Sequence, residues 1–561
     1  MSASRWLVFV AALLADSTMA RDLFTSTTAL QDLILVENNL IILLNHYVKV
    51  EYERLERLKR LATTALQEQE VAESARPSLR PDYWLESSGI SPTFFSPPLL
   101  QNPIGTYQVI KRAANGRSLL TAVRENPAHD LLANFPYAYL MPSYEGDVKG
   151  AAVALTRVQD TYLLTAEELA DGRVLDASPT TPMTSDDLFH VGYACYLDAD
   201  YYHAVPWLEK AVERLGEEEA LKAGAPVVRT FNLTVAYDYL GYSLHEQGNP
   251  ERAAYYMRRL SRLEPAYPAA AHLDAYERLL RAANSSWDGS RLSLPQLRRL
   301  RPPSSGTLYS SYERLCRGQM TPDARAYMGR FRCFLKRDTA FLKVAPLKVE
   351  QLHDQPTVYV FHEALSDGET EQLKAIAAPM LNRALVVNER QGEADEPGNV
   401  PASYRIAKNA WISDNDYELA RRISRRVRDM TNLGTDSAEQ LQMANYGLGG
   451  HYEPHYDMAL ANQTLDLNDA LYGNRIATVL FYLSQPVAGG GTVFEDLGLS
   501  VAALKNAALF WLNVRSDGSP DTRTRHAGCP VLLGEKWVAN KWLHEVGQEL
   551  LRPCPLSRDD A

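Results

Sequence analysis

Between Leu30 and Leu61 the apolar side chains recur at the spacing of a helix face. Ile34, Ile41, Val48 and Leu55 repeat every seventh position, with Leu30, Leu44 and Leu58 on the adjoining seam. Glu37 and Glu51 interrupt that second seam. The stretch therefore reads either as an amphipathic helix packed on its own domain or as one strand of a coiled-coil dimer. Residues 33–44, LILVENNLIILL, are apolar but broken by Glu37, Asn38 and Asn39, which argues against a membrane span. From 182 to 282 the pattern is helical throughout. Gly241, Gly248, Ala253 and Pro265 occupy the Gly, Gly, Ala and Pro positions of a tetratricopeptide unit, and a fainter copy runs through Gly192, Tyr201, Ala204 and Ala211. Small residues there let paired helices pack closely, and the proline closes the unit. Tyr201, Tyr202, Tyr237, Tyr239 and Tyr242 crowd the same region, either as core packing or as the lining of a groove. A concave aromatic surface suits an extended proline-rich peptide, whose preformed helix loses little entropy on docking.

Residues 283–346 carry prolines, serines and two cysteines and read as a connecting segment. Beyond 347 the texture changes to short β-branched and aromatic runs set off by glycine turns. Val358-Tyr-Val-Phe361, Ala477–Leu483, Ala508–Leu512 and Lys536–Trp542 are examples, and they predict a sandwich or jelly-roll barrel. The fold class expected is thus multidomain α+β: a helical or coiled-coil N-terminal region, an all-α tetratricopeptide-like domain and a C-terminal jelly roll.

At 561 residues the chain exceeds one ordinary core. A formal charge of −11 argues against a general nucleic-acid binder, and Arg421, Arg422, Arg425 and Arg426 read as a solvated helix face. The first twenty residues look like a signal peptide, with Arg5, the apolar run Trp6–Leu14 and the small-residue site Thr18-Met19-Ala20. The cysteines suit that compartment. Cys316 with Cys333, and Cys529 with Cys554, are close enough to close short loops, while Cys195 is left over as a buried thiol. Asn232-Leu-Thr, Asn284-Ser-Ser and Asn462-Gln-Thr are glycosylation sequons. The C-terminus carries no KDEL-type retention signal.

The stretch Gly449-Gly-His-Tyr-Glu-Pro-His-Tyr-Asp457 carries the chemistry. A helix through His451 and His455 would hold Pro454 in its interior, where proline removes a donor and clashes with the preceding turn. On an extended segment, His455 and Asp457 share a face. One imidazole and one carboxylate so placed supply two ligands of a facial triad, the donor set of non-haem Fe(II) with positions left open for co-substrate and oxygen. His526 is the candidate third ligand. Lys536, ten residues on, offers a compact cation for the remote carboxylate of a dicarboxylate such as 2-oxoglutarate.

These residues, with the blocks Leu441–Gly450, Tyr452–Asp457, Gly473–Thr478, Gly490–Phe494, Arg525–Val531 and Lys536–Glu545, resemble the collagen prolyl 4-hydroxylase α-subunit family. The similarity extends upstream to Tyr312–Gly318, Ala199–His203 and Leu155–Tyr162. The resemblance implies that His455, Asp457 and His526 bind Fe(II) and that Lys536 binds 2-oxoglutarate. Tyr446, Thr478 and Trp542 would line the co-substrate pocket, with His544 near the peptide. It implies a double-stranded β-helix and two disulfides among Cys316, Cys333, Cys529 and Cys554; of the tyrosines in the helical region, Tyr201, Tyr239 and Tyr242 are the candidate peptide contacts. The expected boundaries are a signal peptide at 1–20, an N-terminal helical dimerisation region at 21–181, and a peptide-substrate-binding domain at 182–282. A linker at 283–346 and a catalytic domain at 347–561 follow. The implied reaction is 4-hydroxylation of peptidyl proline in X-Pro-Gly sequences of procollagen or collagen-like peptides, using O2 and decarboxylating 2-oxoglutarate to succinate, with L-ascorbate in support. The implied assembly is an α2β2 tetramer with a second α chain and protein disulfide isomerase in the endoplasmic reticulum lumen. The acidic loop 389–398 matches the family weakly, and His451 stands where a non-ligand is expected. The competing readings are an oxygenase acting on other secreted proline-rich or lysine-containing chains, a silent peptide-holding subunit, and a zinc hydrolase, which would leave Lys536 unexplained.

Overall fold

The computed structural model describes residues 23–50, 102–124, 142–175, 180–220, 229–301, 306–387, 399–401, 404–460 and 471–555. The signal sequence, the heptads beyond Val50, the acidic loop and the sequon at Asn462 lie outside the described residues. Among those described, no helix is long and apolar enough to cross a membrane. The chain divides into two compact units, 1–24 with 29–304, and 25–28 with 305–561.

The first unit is helical. The helix Thr27–Val50 buries Leu30, Leu33, Ile34, Leu40 and Ile41 within the same chain. Glu37, which breaks the heptad seam, is buried against Arg112 at 2.6 Å. Lys111 on the helix Pro103–Arg124 reaches Asp186 at 2.8 Å and Asp187 at 2.9 Å, where the helix Ser185–Leu197 begins. A capping box of Thr184 and Asp187 starts that helix. It pairs with Tyr201–Ala220, and Leu233–Glu246 pairs with Pro250–Leu263. The small residues read from the sequence sit where helices touch. A Cβ on Gly192 would stand 2.7 Å from Leu208 Cγ, and one on Gly241 3.0 Å from the Met257 sulfur. Ala204, Ala211 and Ala253 are fully buried.

The second unit begins earlier than the composition suggests. Residues 305–346 belong to it rather than to a linker: the strand Cys333–Lys336 pairs with Leu347–His353 and extends the main sheet. That sheet has nine strands, in spatial order Cys333–Lys336, Leu347–His353, Val358–His362, Ala508–Leu512, Arg475–Tyr482, Lys536–His544, Leu441–Tyr446, Lys408–Ile412 and Asn382–Arg383. A four-stranded sheet, Leu499–Val501, Thr492–Phe494, His526–Gly528 and Tyr452–His455, lies against one of its faces. Alternation along each strand divides the core. Met443, Val479, Phe481, Trp537, Ala539 and Leu543 pack under the helices Asp367–Ala377 and Glu418–Thr431. Ala444, Tyr446, Leu480, Val538 and Trp511 face the other way, with Phe494 and Val501 of the smaller sheet. This is the double-stranded β-helix expected.

The disulfide pattern differs from expectation. Cys316 bonds Cys529, 213 residues away, and Cys333 and Cys554 are exposed thiols. The helix Gly306–Cys316 packs through Tyr312 and Leu315 on Val493 and Ala527 of the smaller sheet, which brings Cys316 beside Cys529. Pairing by nearness in sequence could not anticipate that packing. Cys195 is buried, as expected, and burial pushes its thiol pKa well up.

Gly192→Ala should lower the stability of the full chain by about 1–3 kcal/mol through overpacking against Leu208. Gly216→Ala, in a helix with nothing within 4 Å of the new methyl, should be neutral or stabilising. Thermal unfolding of the two variants side by side checks the contrast.

Candidate active site

The smaller sheet builds the site. Gly449 adopts φ +54°, and a Cβ on Gly450 would meet Ile406 O and Tyr446 Cβ at 2.9 Å, so only glycines make the tight entry to the strand Tyr452–His455. That strand lies at the sheet edge. Between its pairings Gly528↔Tyr452 and His526↔His455 the register shifts, and Pro454 falls inside the resulting bulge, where its missing N–H is tolerated. His455 and His526 thus stand directly opposite one another, with Asp457 just beyond the strand end. One ligand atom from each of the three lies within 4.8 Å of the others.

Both imidazoles are held by backbone. His455 Nδ1 lies 2.7 Å from Glu453 O and His526 Nδ1 3.0 Å from Thr524 O. Protons on those nitrogens leave both Nε2 lone pairs facing Asp457, each 3.6 Å from one of its oxygens. Burial, above all, pushes His526 down to about 4, so its imidazole is neutral near pH 7. Burial opposes ionisation of Asp457, but His526, His455 and Arg475 outweigh it and hold the carboxyl far below its ordinary range. This donor set fits a divalent metal with open positions.

The residues expected to serve the co-substrate are placed as follows. Lys536 pairs with Tyr446 across neighbouring strands, and its ammonium lies 4.9 Å from the centre of that ring. It is 2 % exposed, and burial alone pushes its pKa down to about 7. Cβ atoms on Gly528 and Gly490 would come within 3.5 Å of Lys536 Nζ and 3.3 Å of its Cδ. Glycines therefore keep room around a dry cation, which fits the far carboxylate of 2-oxoglutarate. Thr478 donates to Asp457 Oδ2 at 2.7 Å. The indole N–H of Trp542 is buried with no partner among the described residues.

Other expectations change. His544 is fully buried, with Nδ1 2.6 Å from Gly473 O and Nε2 3.1 Å from Glu439, so it is not a direct peptide contact. Through Glu439 it connects to Arg475, which stacks 4.4 Å over Trp542 and donates to Asp457 O at 3.3 Å. Glu439 and Arg475 were missed because an ion pair between a loop and a distant strand leaves no spacing signature. His451 is buried and outside the triad, as expected of a non-ligand.

In the helical unit the tyrosines divide. Tyr201, Tyr239 and Tyr242 join Tyr193 and Tyr196 in one cluster, with neighbouring centroids 4.7–5.9 Å apart. Phe189, 5.9 Å from Tyr193, continues it by stacking on Phe231 at 4.2 Å. Tyr237 is instead a core residue, 1 % exposed, and Tyr202 lies under Arg299 in a polar cleft with Glu209 and Arg252. Tyr193 falls four residues after Phe189 and Tyr196 three after Tyr193, a helical-face spacing that could have flagged Tyr193.

The double-stranded β-helix, the His-Asp-His set and the buried lysine define a 2-oxoglutarate- and Fe(II)-dependent oxygenase, and residues 441–544 match the 2OG-Fe(II) oxygenase superfamily. Residues 26–176 match the prolyl 4-hydroxylase alpha-subunit N-terminal region, and 185–282 the prolyl 4-hydroxylase peptide-substrate-binding domain. Prolyl 4-hydroxylase subunit alpha-2 of Caenorhabditis elegans is 38% identical, covering 98% of this chain and 96% of its own. Subunit alpha-1 of Homo sapiens is 33% identical, covering 98% and 99%. The chain belongs to the prolyl 4-hydroxylase alpha-subunit family.

Lys536→Met should raise the melting temperature of the protein without co-substrate while weakening 2-oxoglutarate binding by on the order of a hundredfold. The penalty of charging the buried amine is complete below pH about 7 and fades as pH rises towards the unfolded value of 10.5. The stability gap between variant and wild type should therefore shrink across that range in a pH series of melting curves.

Proposed function

We propose that this chain hydroxylates C4 of peptidyl proline in X-Pro-Gly segments of procollagen or collagen-like chains. The observation that carries the reading is the buried Lys536 beside the set His455, Asp457 and His526: a cation placed for a co-substrate's remote carboxylate next to donors for iron. His455, Asp457 and His526 would hold the metal. Bound Fe(II), with 2-oxoglutarate and O2, supplies the oxidant; the co-substrate loses CO2 to give succinate as the proline gains its hydroxyl.

The chain's own residues do the rest. Lys536 anchors the far end of the co-substrate, and Tyr446 walls it. Trp542, with Arg475 stacked on it, walls the site on the side of Asp457. The tyrosine cluster of the helical unit supplies aromatic faces for a polyproline II segment, so a long substrate would be held by a second foothold. Protein disulfide isomerase and a second α chain as partners, residence in the endoplasmic reticulum lumen, and L-ascorbate to keep the iron reduced follow from membership of the family and belong to the same proposal.

The test is succinate release and 4-hydroxyproline formation by the chain co-expressed with protein disulfide isomerase, supplied with Fe(II), 2-oxoglutarate and ascorbate, with and without a (Pro-Pro-Gly) repeat peptide. Peptide-stimulated turnover with new 4-hydroxyproline is expected; turnover indifferent to the peptide would remove the substrate assignment. His455→Ala should abolish turnover. Tyr239→Ala should raise KM for the repeat peptide roughly fivefold, about 1 kcal/mol of aromatic contact, with kcat little changed.

A further inference from the structure

The carboxylate of Asp457 is not free to choose how it meets a metal. Thr478 has one hydroxyl proton and gives it to Asp457 Oδ2 at 2.7 Å, while its oxygen accepts from Asn513 Nδ2 at 3.0 Å. An amide N–H cannot accept, so the Thr478 hydroxyl cannot turn toward Asn513, and its proton is committed to the carboxylate. All three groups are buried: Asn513 is 0 % exposed, Thr478 1 % and Asp457 8 %. The backbone at Asn513 is also fixed. Its backbone N–H donates to Ile476 O at 2.8 Å and its carbonyl accepts from Asp521 N at 2.9 Å, just past the strand Ala508–Leu512. Arg475, donating to Asp457 O at 3.3 Å, holds the backbone on the other side.

From this geometry we infer that Asn513 and Thr478 are positioning residues that keep Asp457 a single-oxygen ligand. Oδ2, which lies 3.6 Å from His526 Nε2, carries the relay's hydrogen bond, while Oδ1, 3.6 Å from His455 Nε2, keeps both its lone pairs for the metal. The consequence is functional. A carboxylate that closed on the metal through both oxygens would take a position that a 2-oxo acid or O2 requires. A directed hydrogen bond to one oxygen makes that closure cost the bond and strand a buried hydroxyl. Thr478, expected from the resemblance to line the co-substrate pocket, acts on the co-substrate through Asp457, and Asn513 acts through Thr478.

The inference rests on His455, Asp457 and His526 being the metal-holding set, and the test separates the two. The full-length chain, co-purified with protein disulfide isomerase, is loaded with Fe(II) without oxygen and saturated with 2-oxoglutarate. The readout is the visible charge-transfer band that a 2-oxo acid gives when it chelates Fe(II) through two oxygens, alongside the metal content and the Mn(II) dissociation constant. Thr478→Val and Asn513→Asp, in which an acceptor replaces the amide donor, should keep bound metal but lose most of the band and bind 2-oxoglutarate about tenfold more weakly. Thr478→Ser, which restores the hydroxyl, should recover both. A full band at saturation in both Thr478→Val and Asn513→Asp would overturn the relay, because direct co-substrate contact by Thr478 would then explain any loss of affinity. Absence of metal binding in the wild type, or its persistence unchanged in His455→Ala, would overturn the ligand set and the relay with it.

Discussion

The oxygenase unit depends on the burial of one strand. All nine residues of Lys536–His544 are buried, and the strand lies in the middle of the larger sheet between Arg475–Tyr482 and Leu441–Tyr446. Its two faces do different work. Trp537, Ala539 and Leu543 fill the core beneath the helices. Lys536, Trp542 and His544, on the alternate positions, turn toward the site. A slip of one residue would send the lysine into the apolar core and the tryptophans to the wrong faces. Stability of the fold and alignment of the chemistry are thus set by the same pairing.

Burial also fixes what the site can bind. A lone ammonium in a dry pocket is costly, and Lys536 sheds much of its affinity for a proton as a result. In the proposed function an arriving anion would recover that cost, and the pocket would select a ligand with a carboxylate at the right distance over one without. The metal donors follow the complementary rule. Two imidazoles steadied by backbone carbonyls and one ionised carboxylate stand beside the cationic group. The co-substrate is the molecule whose ends answer both.

Much of this was legible in the sequence, and the exceptions share a cause. His455 and Asp457 could be separated from His451 because Pro454 and the glycines exclude a helix, a local argument that needs no tertiary information. Gly192, Gly241 and the alanines of the helical unit were readable because close helix packing requires small residues at fixed intervals. The Cys316–Cys529 bond, the burial of His544 under Glu439, and the division of the tyrosines into a cluster, a core residue and Tyr202 under Arg299 depend on which elements come together. No spacing along the chain encodes those meetings. The same holds for Asn513, which looks like an ordinary strand-end residue until the strand Arg475–Tyr482 brings Thr478 alongside. Residues 305–346 misled for a different reason: their prolines and serines have the composition of a linker, yet their apolar residues are spent on the sheet edge and on the back of the smaller sheet.

The bulge at Pro454 has a consequence for how the molecule reaches this arrangement. Three chain steps on one strand are matched to two on the other between the pairs Tyr452–Gly528 and His455–His526. A regular ladder that erased the mismatch would call on an N–H at position 454, and proline has none. The wrong alignment is therefore short of a bond from the start, and the search for the native pairing meets one trap fewer. A missing atom, as much as any contact, determines where the histidines meet.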